Sequence, residues 1–199
     1  PCEPWDFVAA TLHGASGLLQ PREQIVSGES GVGECGNVNI EYSGDFTLTC
    51  NLGVLEAGDS SGCRRTCSSY GSNTTVTVEG EGYTVWPISR IPHGGTGVQA
   101  CGNVLFGFGG EVELACDDGT LSVTSHNCQP NPCEAGLLIQ TTIYGVTGIA
   151  PLIFDTDHLG TGLVDCYSIN PETTGRFEAT CFARTLTLVS ETAFRKTCP

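Results

Sequence analysis

Cys101-Gly-Asn-Val-Leu-Phe-Gly-Phe-Gly-Gly-Glu-Val-Glu-Leu-Ala-Cys116 is the stretch on which the fold turns. The same fifteen-residue step separates Cys35 from Cys50 and Cys166 from Cys181. In all three copies a glycine lies nine residues past the first cysteine (Gly44, Gly110, Gly175). An apolar residue follows at eleven (Phe46, Val112, Phe177) and another at thirteen (Leu48, Leu114, Ala179). Alternate residues of a strand share a face, so both apolar side chains and the closing cysteine point the same way. The glycine ahead of them is expected to bend the chain into that strand.

Outward from this core the cysteines sort into three sets of four: 2, 35, 50 and 63; 67, 101, 116 and 128; 133, 166, 181 and 198. The first gap is 33, 34 and 33 residues, the second is 15 each time, and the third is 13, 12 and 17. Such spacing predicts tandem modules over residues 1–64, 65–130 and 131–199. Each module opens with a shared phrase: Thr11-Leu12-His13-Gly14, Thr77-Val78-Glu79-Gly80 and Thr142-Ile143-Tyr144-Gly145. A second glycine follows (Gly17, Gly82, Gly148), then a proline (Pro21, Pro87, Pro151) expected to stop strand pairing. Glycine plus an aliphatic residue precedes the second cysteine (Gly31-Val32, Gly97-Val98, Gly162-Leu163). A leucine five residues past the third cysteine (Leu55, Leu121, Leu186) reads as a core plug. The linkers, Arg64-Arg65-Thr66 and Gln129-Pro130-Asn131-Pro132, are too short to act as free tethers. Neighbouring modules should therefore touch, giving an elongated rod with restricted bending.

Composition agrees with an all-β chain. There are 27 Gly, 10 Pro and no Met, with β-branched runs such as Thr74-Thr-Val-Thr-Val78 and little amphipathic helix. No apolar run is long enough to span a membrane as a helix. No signal peptide precedes Pro1-Cys2, as in a mature or excerpted sequence. Both ends coincide with repeat boundaries, which points to an excerpt of a longer array or a subunit that joins head to tail. Twelve cysteines without paired zinc knuckles imply disulfides, an oxidising compartment and secretion. The net charge of -14 is spread along the chain and disfavours nucleic acid and anionic membrane as partners.

Little chemistry is legible. The repeat uses every cysteine, so no free thiol is left as nucleophile. No Gly-x-Ser-x-Gly elbow, His-Glu-x-x-His or phosphate loop occurs. None of His13, His93, His126 and His158 is read as repeating at a matching position. His13 and Ser16 read as surface residues, and His158 beside Asp155 and Asp157 as a solvated loop. The expectation is no catalysis, no metal and no cofactor. Asn73-Thr74-Thr75 is an N-glycosylation sequon. The apolar segment Trp86-Pro-Ile-Ser-Arg-Ile-Pro92 is the candidate partner contact, through Trp86, Ile88, Arg90 and Ile91.

A module of this size buries a modest core, so cross-links must supply much of its stability. Each is worth roughly 3 to 4 kcal/mol on the chain-entropy model. Spacing alone leaves three connectivities open per module. The pattern resembles the sushi, or complement control protein, module: about sixty residues, four cysteines and a glycine with tryptophan between the last two. Cys116-Asp-Asp-Gly119-Thr-Leu121 and Cys50-Asn-Leu-Gly53-Val-Leu55 look like that closing segment with leucine for tryptophan. Cys181-Phe-Ala-Arg184-Thr-Leu186 keeps only the leucine, and Trp5 and Trp86 lie elsewhere. The resemblance implies small β-sandwiches bonded first to third and second to fourth cysteine. The pairs would be Cys2–Cys50 and Cys35–Cys63, Cys67–Cys116 and Cys101–Cys128, Cys133–Cys181 and Cys166–Cys198. Two functions are expected from this: a glycosylated structural rod of a fibre, appendage or matrix, whose partners are copies of itself, or a binding module for a protein or glycan.

Overall fold

A computed structural model of the chain describes residues 1–189. Among these the regular structure is strands and three single-turn 3-10 segments, so the protein is all-β. The first repeat opens with the hairpin β1 (Val8–Leu12) and β2 (Ala15–Leu19). It continues through β3 (Ser30–Glu34), a 3-10 turn at Cys35–Asn37, β4 (Tyr42–Asn51), β5 (Val54–Ala57) and β6 (Cys63–Arg65). The second holds β7 (Thr74–Val78), β8 (Glu81–Val85), β9 (Thr96–Ala100), β10 (Phe108–Gly109), β11 (Glu111–Asp117), β12 (Thr120–His126) and β13 (Gln129–Pro130). The third holds β14 (Leu138–Ile143), β15 (Val146–Pro151), β16 (Thr161–Asp165), β17 (Arg176–Phe182) and β18 (Thr185–Leu188). Each repeat thus joins a two-stranded hairpin to a sheet ordered β3-β4-β5, β9-β11-β12 or β16-β17-β18.

Two-residue turns close the hairpins. His13-Gly14, Glu79-Gly80 and Tyr144-Gly145 all take positive φ, and so do Leu52-Gly53, Asp118-Gly119 and Ala183-Arg184. That geometry matches the right-handed twist of paired strands. Gly44, near the start of β4, and Gly110 and Gly175, which lead into β11 and β17, have φ of 101°, 93° and 105°. A residue with Cβ is strained there, which is why the bend is glycine.

Behind each bend the alternation fills the core. Phe46, Leu48 and Cys50, Val112, Leu114 and Cys116, and Phe177, Ala179 and Cys181 are all buried. In the first repeat they pack with Ala10, Leu12 and Leu19 of the hairpin. In the third they pack with Ile139, Ile143 and Ala150. The leucine after the third cysteine lies directly across from it: Cys50 opposite Leu55, Cys116 opposite Leu121, Cys181 opposite Leu186. Leu55 and Leu121 are buried, and Leu186 is half-buried.

The proline expected to stop pairing does so at Pro21 and Pro87, each beyond the end of its strand. Pro151 instead pairs with Leu138 as the last residue of β15. The buried position belongs to Leu152, whose amide donates to the Leu137 carbonyl at 2.8 Å, a bond proline has no N–H to make.

Among the described residues five disulfides close the repeats: Cys2–Cys50, Cys35–Cys63, Cys67–Cys116, Cys101–Cys128 and Cys133–Cys181. These five run first to third and second to fourth. Cys166 is buried and has no sulfur partner among the described residues; Cys198, its implied partner, lies outside them. Burial pushes the Cys166 thiol up, with the neighbouring Asp165 charge adding to it. The backbone packs as two compact units, residues 1–99 with 112–126 and residues 100–111 with the described residues from 127 onward. The boundary therefore passes through the second repeat and not along a linker.

Candidate functional site: the joints between repeats

The joints between repeats are polar, and each lies inside one compact unit. At the first, the Thr66 amide and hydroxyl both donate to the Glu41 carbonyl, at 2.8 and 3.0 Å. The Arg65 amide donates to Asp118 Oδ1 at 2.8 Å, and the His93 amide to Ser43 Oγ at 3.1 Å. Ser72 Oγ donates to the Gly119 carbonyl at 3.1 Å. Glu41, Arg65, Thr66, Ser72 and Gly119 line a polar cleft of about 220 Å³ together with Tyr70. The Arg65–Glu41 ion pair, 3.8 Å apart and more than half exposed on both sides, adds little.

The second joint shares the linker amide bonded to a carbonyl of the preceding repeat. The Asn131 amide donates to the Gly107 carbonyl at 2.8 Å. Gly107 has φ of 81°, and a Cβ there would overlap the Ala183 carbonyl, so only glycine fits. Within the third repeat Arg184 reaches Glu134 at 3.4 Å.

Each tip of the last hairpin is capped in the same way. Ser27 Oγ accepts the Leu52 amide at 3.0 Å. His93 Nδ1 accepts the Asp118 amide, and His158 Nδ1 the Ala183 amide, both at 3.1 Å. The expectation that no histidine repeats is therefore corrected: Ser27, His93 and His158 all lie 23 residues before the third cysteine. Nor is His158 a solvated loop residue. It is half-buried, its ring 4.9 Å from that of Phe182, while Asp155 accepts the Ala135 amide. His93 Nδ1 also lies 3.2 Å from Asp117 Oδ1. One nitrogen cannot accept the amide and donate to the carboxylate at once. The amide bond requires Nδ1 unprotonated, and Asp117 is almost fully exposed, so we assign the amide.

Asp118→Ala is expected to speed hydrogen exchange at the Arg65 amide while costing no more than about 1 kcal/mol of stability. An unchanged exchange rate would mean that this bond does not hold the linker.

The other candidates scatter. Trp86, Ile88 and Arg90 are exposed on the loop after β8. Ile91 is not part of that surface. It is 2 % exposed and exchanges both backbone hydrogen bonds with Cys67 at 2.9 Å, the place filled by Ile25 and Thr156 in the other repeats. Asn73 is exposed immediately ahead of β7. His13 stacks on Tyr42 with ring centroids 4.8 Å apart. Among the described residues no three His, Cys, Asp or Glu side chains cluster as metal ligands.

Fold and joints together define an all-β protein of disulfide-bonded tandem repeats. No family model matches the chain, and neither a curated protein nor a solved structure is similar to it.

Proposed function

We propose that this chain is an extracellular structural repeat protein, a rod-like building block of a fibre, surface appendage or matrix, made of divergent sushi-like modules. The joint carries the reading. In both, a linker amide is bonded to a backbone carbonyl at the edge of the preceding repeat, Thr66 to Glu41 and Asn131 to Gly107. Repeats held in this way transmit load along the chain instead of swinging on a tether. Disulfides belong to an oxidising compartment, and a charge of -14 keeps like surfaces soluble. No catalytic role is part of the proposal.

Glycosylation at Asn73 belongs to the same reading, because the sequon sits on an exposed residue. Intact mass unchanged by enzymatic deglycosylation would remove it. Electron micrographs of the native, unreduced material are expected to show fibres. A monodisperse monomer that captures a soluble protein or glycan would favour the alternative, a sushi-type binding module. Exposure of Trp86, Ile88 and Arg90 on one loop is the observation on its side.

A further inference from the structure

The loop between the first cysteine of a repeat and its first strand changes from one repeat to the next. It covers residues 3–7 in the first, 68–73 in the second and 134–137 in the third. A carboxylate ties down each of the two shorter loops. The Glu3 amide donates to Asp6 Oδ2 and the Ala135 amide to Asp155 Oδ1, both at 2.7 Å. The longest loop, Ser68-Ser-Tyr-Gly-Ser-Asn73, holds no carboxylate, and Arg90 stands where the third repeat has Asp155.

Two features of that loop fall together. Tyr70 lines the polar cleft of the joint, yet it is 100 % exposed, so the faces of its ring are open. Asn73, three residues on, begins the sequon and is exposed as well. Three extended residues reach at most about 10 Å. Here the chain turns, because the Gly71 and Ser72 amides both donate to the Ser68 carbonyl, at 3.2 and 2.9 Å. Ser72, between the two, is anchored: its side chain is buried and bonded to the Gly119 carbonyl. The first repeat has Trp5 in this loop but no asparagine, and the third has neither an aromatic residue nor an asparagine there. Ring and acceptor thus occur together only in the longest of the three loops.

The sugar joined to a sequon asparagine is N-acetylglucosamine. Its axial C–H bonds make one face apolar, while hydroxyls and the acetamide stand around the edge. The apolar face matches an aromatic ring, which has a broad apolar body and, in tyrosine, a polar tip. The polar edge matches the cleft, whose lining includes Ser68, Glu41 and Arg65.

We infer that the first N-acetylglucosamine of an Asn73 glycan packs on the Tyr70 ring at the mouth of this cleft, so that a sugar braces the loop at the joint between the first two repeats. The inference rests on the glycosylation proposed above. Sugar placed in this way is a structural part of the joint and not a coat over it.

Hydrogen exchange at the Gly71 and Ser72 amides tests it on the full, unreduced chain, secreted by a host that adds N-glycans. Four chains form a cycle: the parent, Asn73→Gln, Tyr70→Ala and the double variant. Intact mass reports occupancy, and the glycosylated fraction is taken forward wherever the sequon is kept. Both amides are expected to exchange about fivefold slower in the glycosylated parent than in Asn73→Gln. Trimming the glycan to its first sugar should keep that protection, because the outer sugars make no contact. In Tyr70→Ala the glycan should protect neither amide. Protection that is absent from the parent, equal in Tyr70→Ala, or lost on trimming would overturn the packing while glycosylation stands. A parent whose mass shows no sugar at Asn73 overturns both.

Discussion

Replacing Cys67 and Cys116 together by alanine is expected to unfold the second repeat and to remove about 4 kcal/mol of stability. The bond spans 49 residues, so its loss frees a long loop in the unfolded chain. It also opens the core, because Cys116 is buried opposite Leu121. A few kilocalories are most of what a domain of this size has. Chemical denaturation read by circular dichroism should show the lost transition, and full reduction of the parent should remove cooperative unfolding altogether. An unaltered melting curve, with thiol titration showing complete reduction, would mean that the apolar cores suffice alone.

The second large effect is Phe177→Ala. Phe177 is fully buried, and the residue two further on is Ala179 where the other repeats have Leu48 and Leu114. At these two positions the third core therefore has one ring to fill the space, and deleting it should cost about 3 to 5 kcal/mol. Phe182→Ala, at a half-exposed ring, is the matched comparison and should cost about 1 kcal/mol or less. Equal losses from the two would place the core elsewhere.

The cysteine register, the glycines of positive φ and the alternation after them were legible because each is a single residue type at a fixed step. The joints were not. A residue inserted between Cys67 and β7 shifts any count made forward from the first cysteine, which hid the match of His93 with His158. Counted back from the third cysteine, Ser27, His93 and His158 fall in register, and so do Ile25, Ile91 and Thr156. That second register would have marked Ile91 as core, although the exposed Trp86 and Ile88 nearby made it look like surface. Pro151 misled for a similar reason: it stands one place before the buried position that Leu152 fills. The bonds of the joints run largely through main-chain atoms, and a carbonyl leaves no letter in a sequence.

That last feature has an evolutionary side. A linker amide bound to a carbonyl asks only that positions 66 and 131 not be proline, while Gly107 is fixed by the Ala183 backbone against it. The side chains at 66 and 131 are thus otherwise free to drift, and the loop bearing Trp86 can be rewritten without touching either amide bond. A scaffold of this sort can diversify its exterior quickly and still be made to the same gauge.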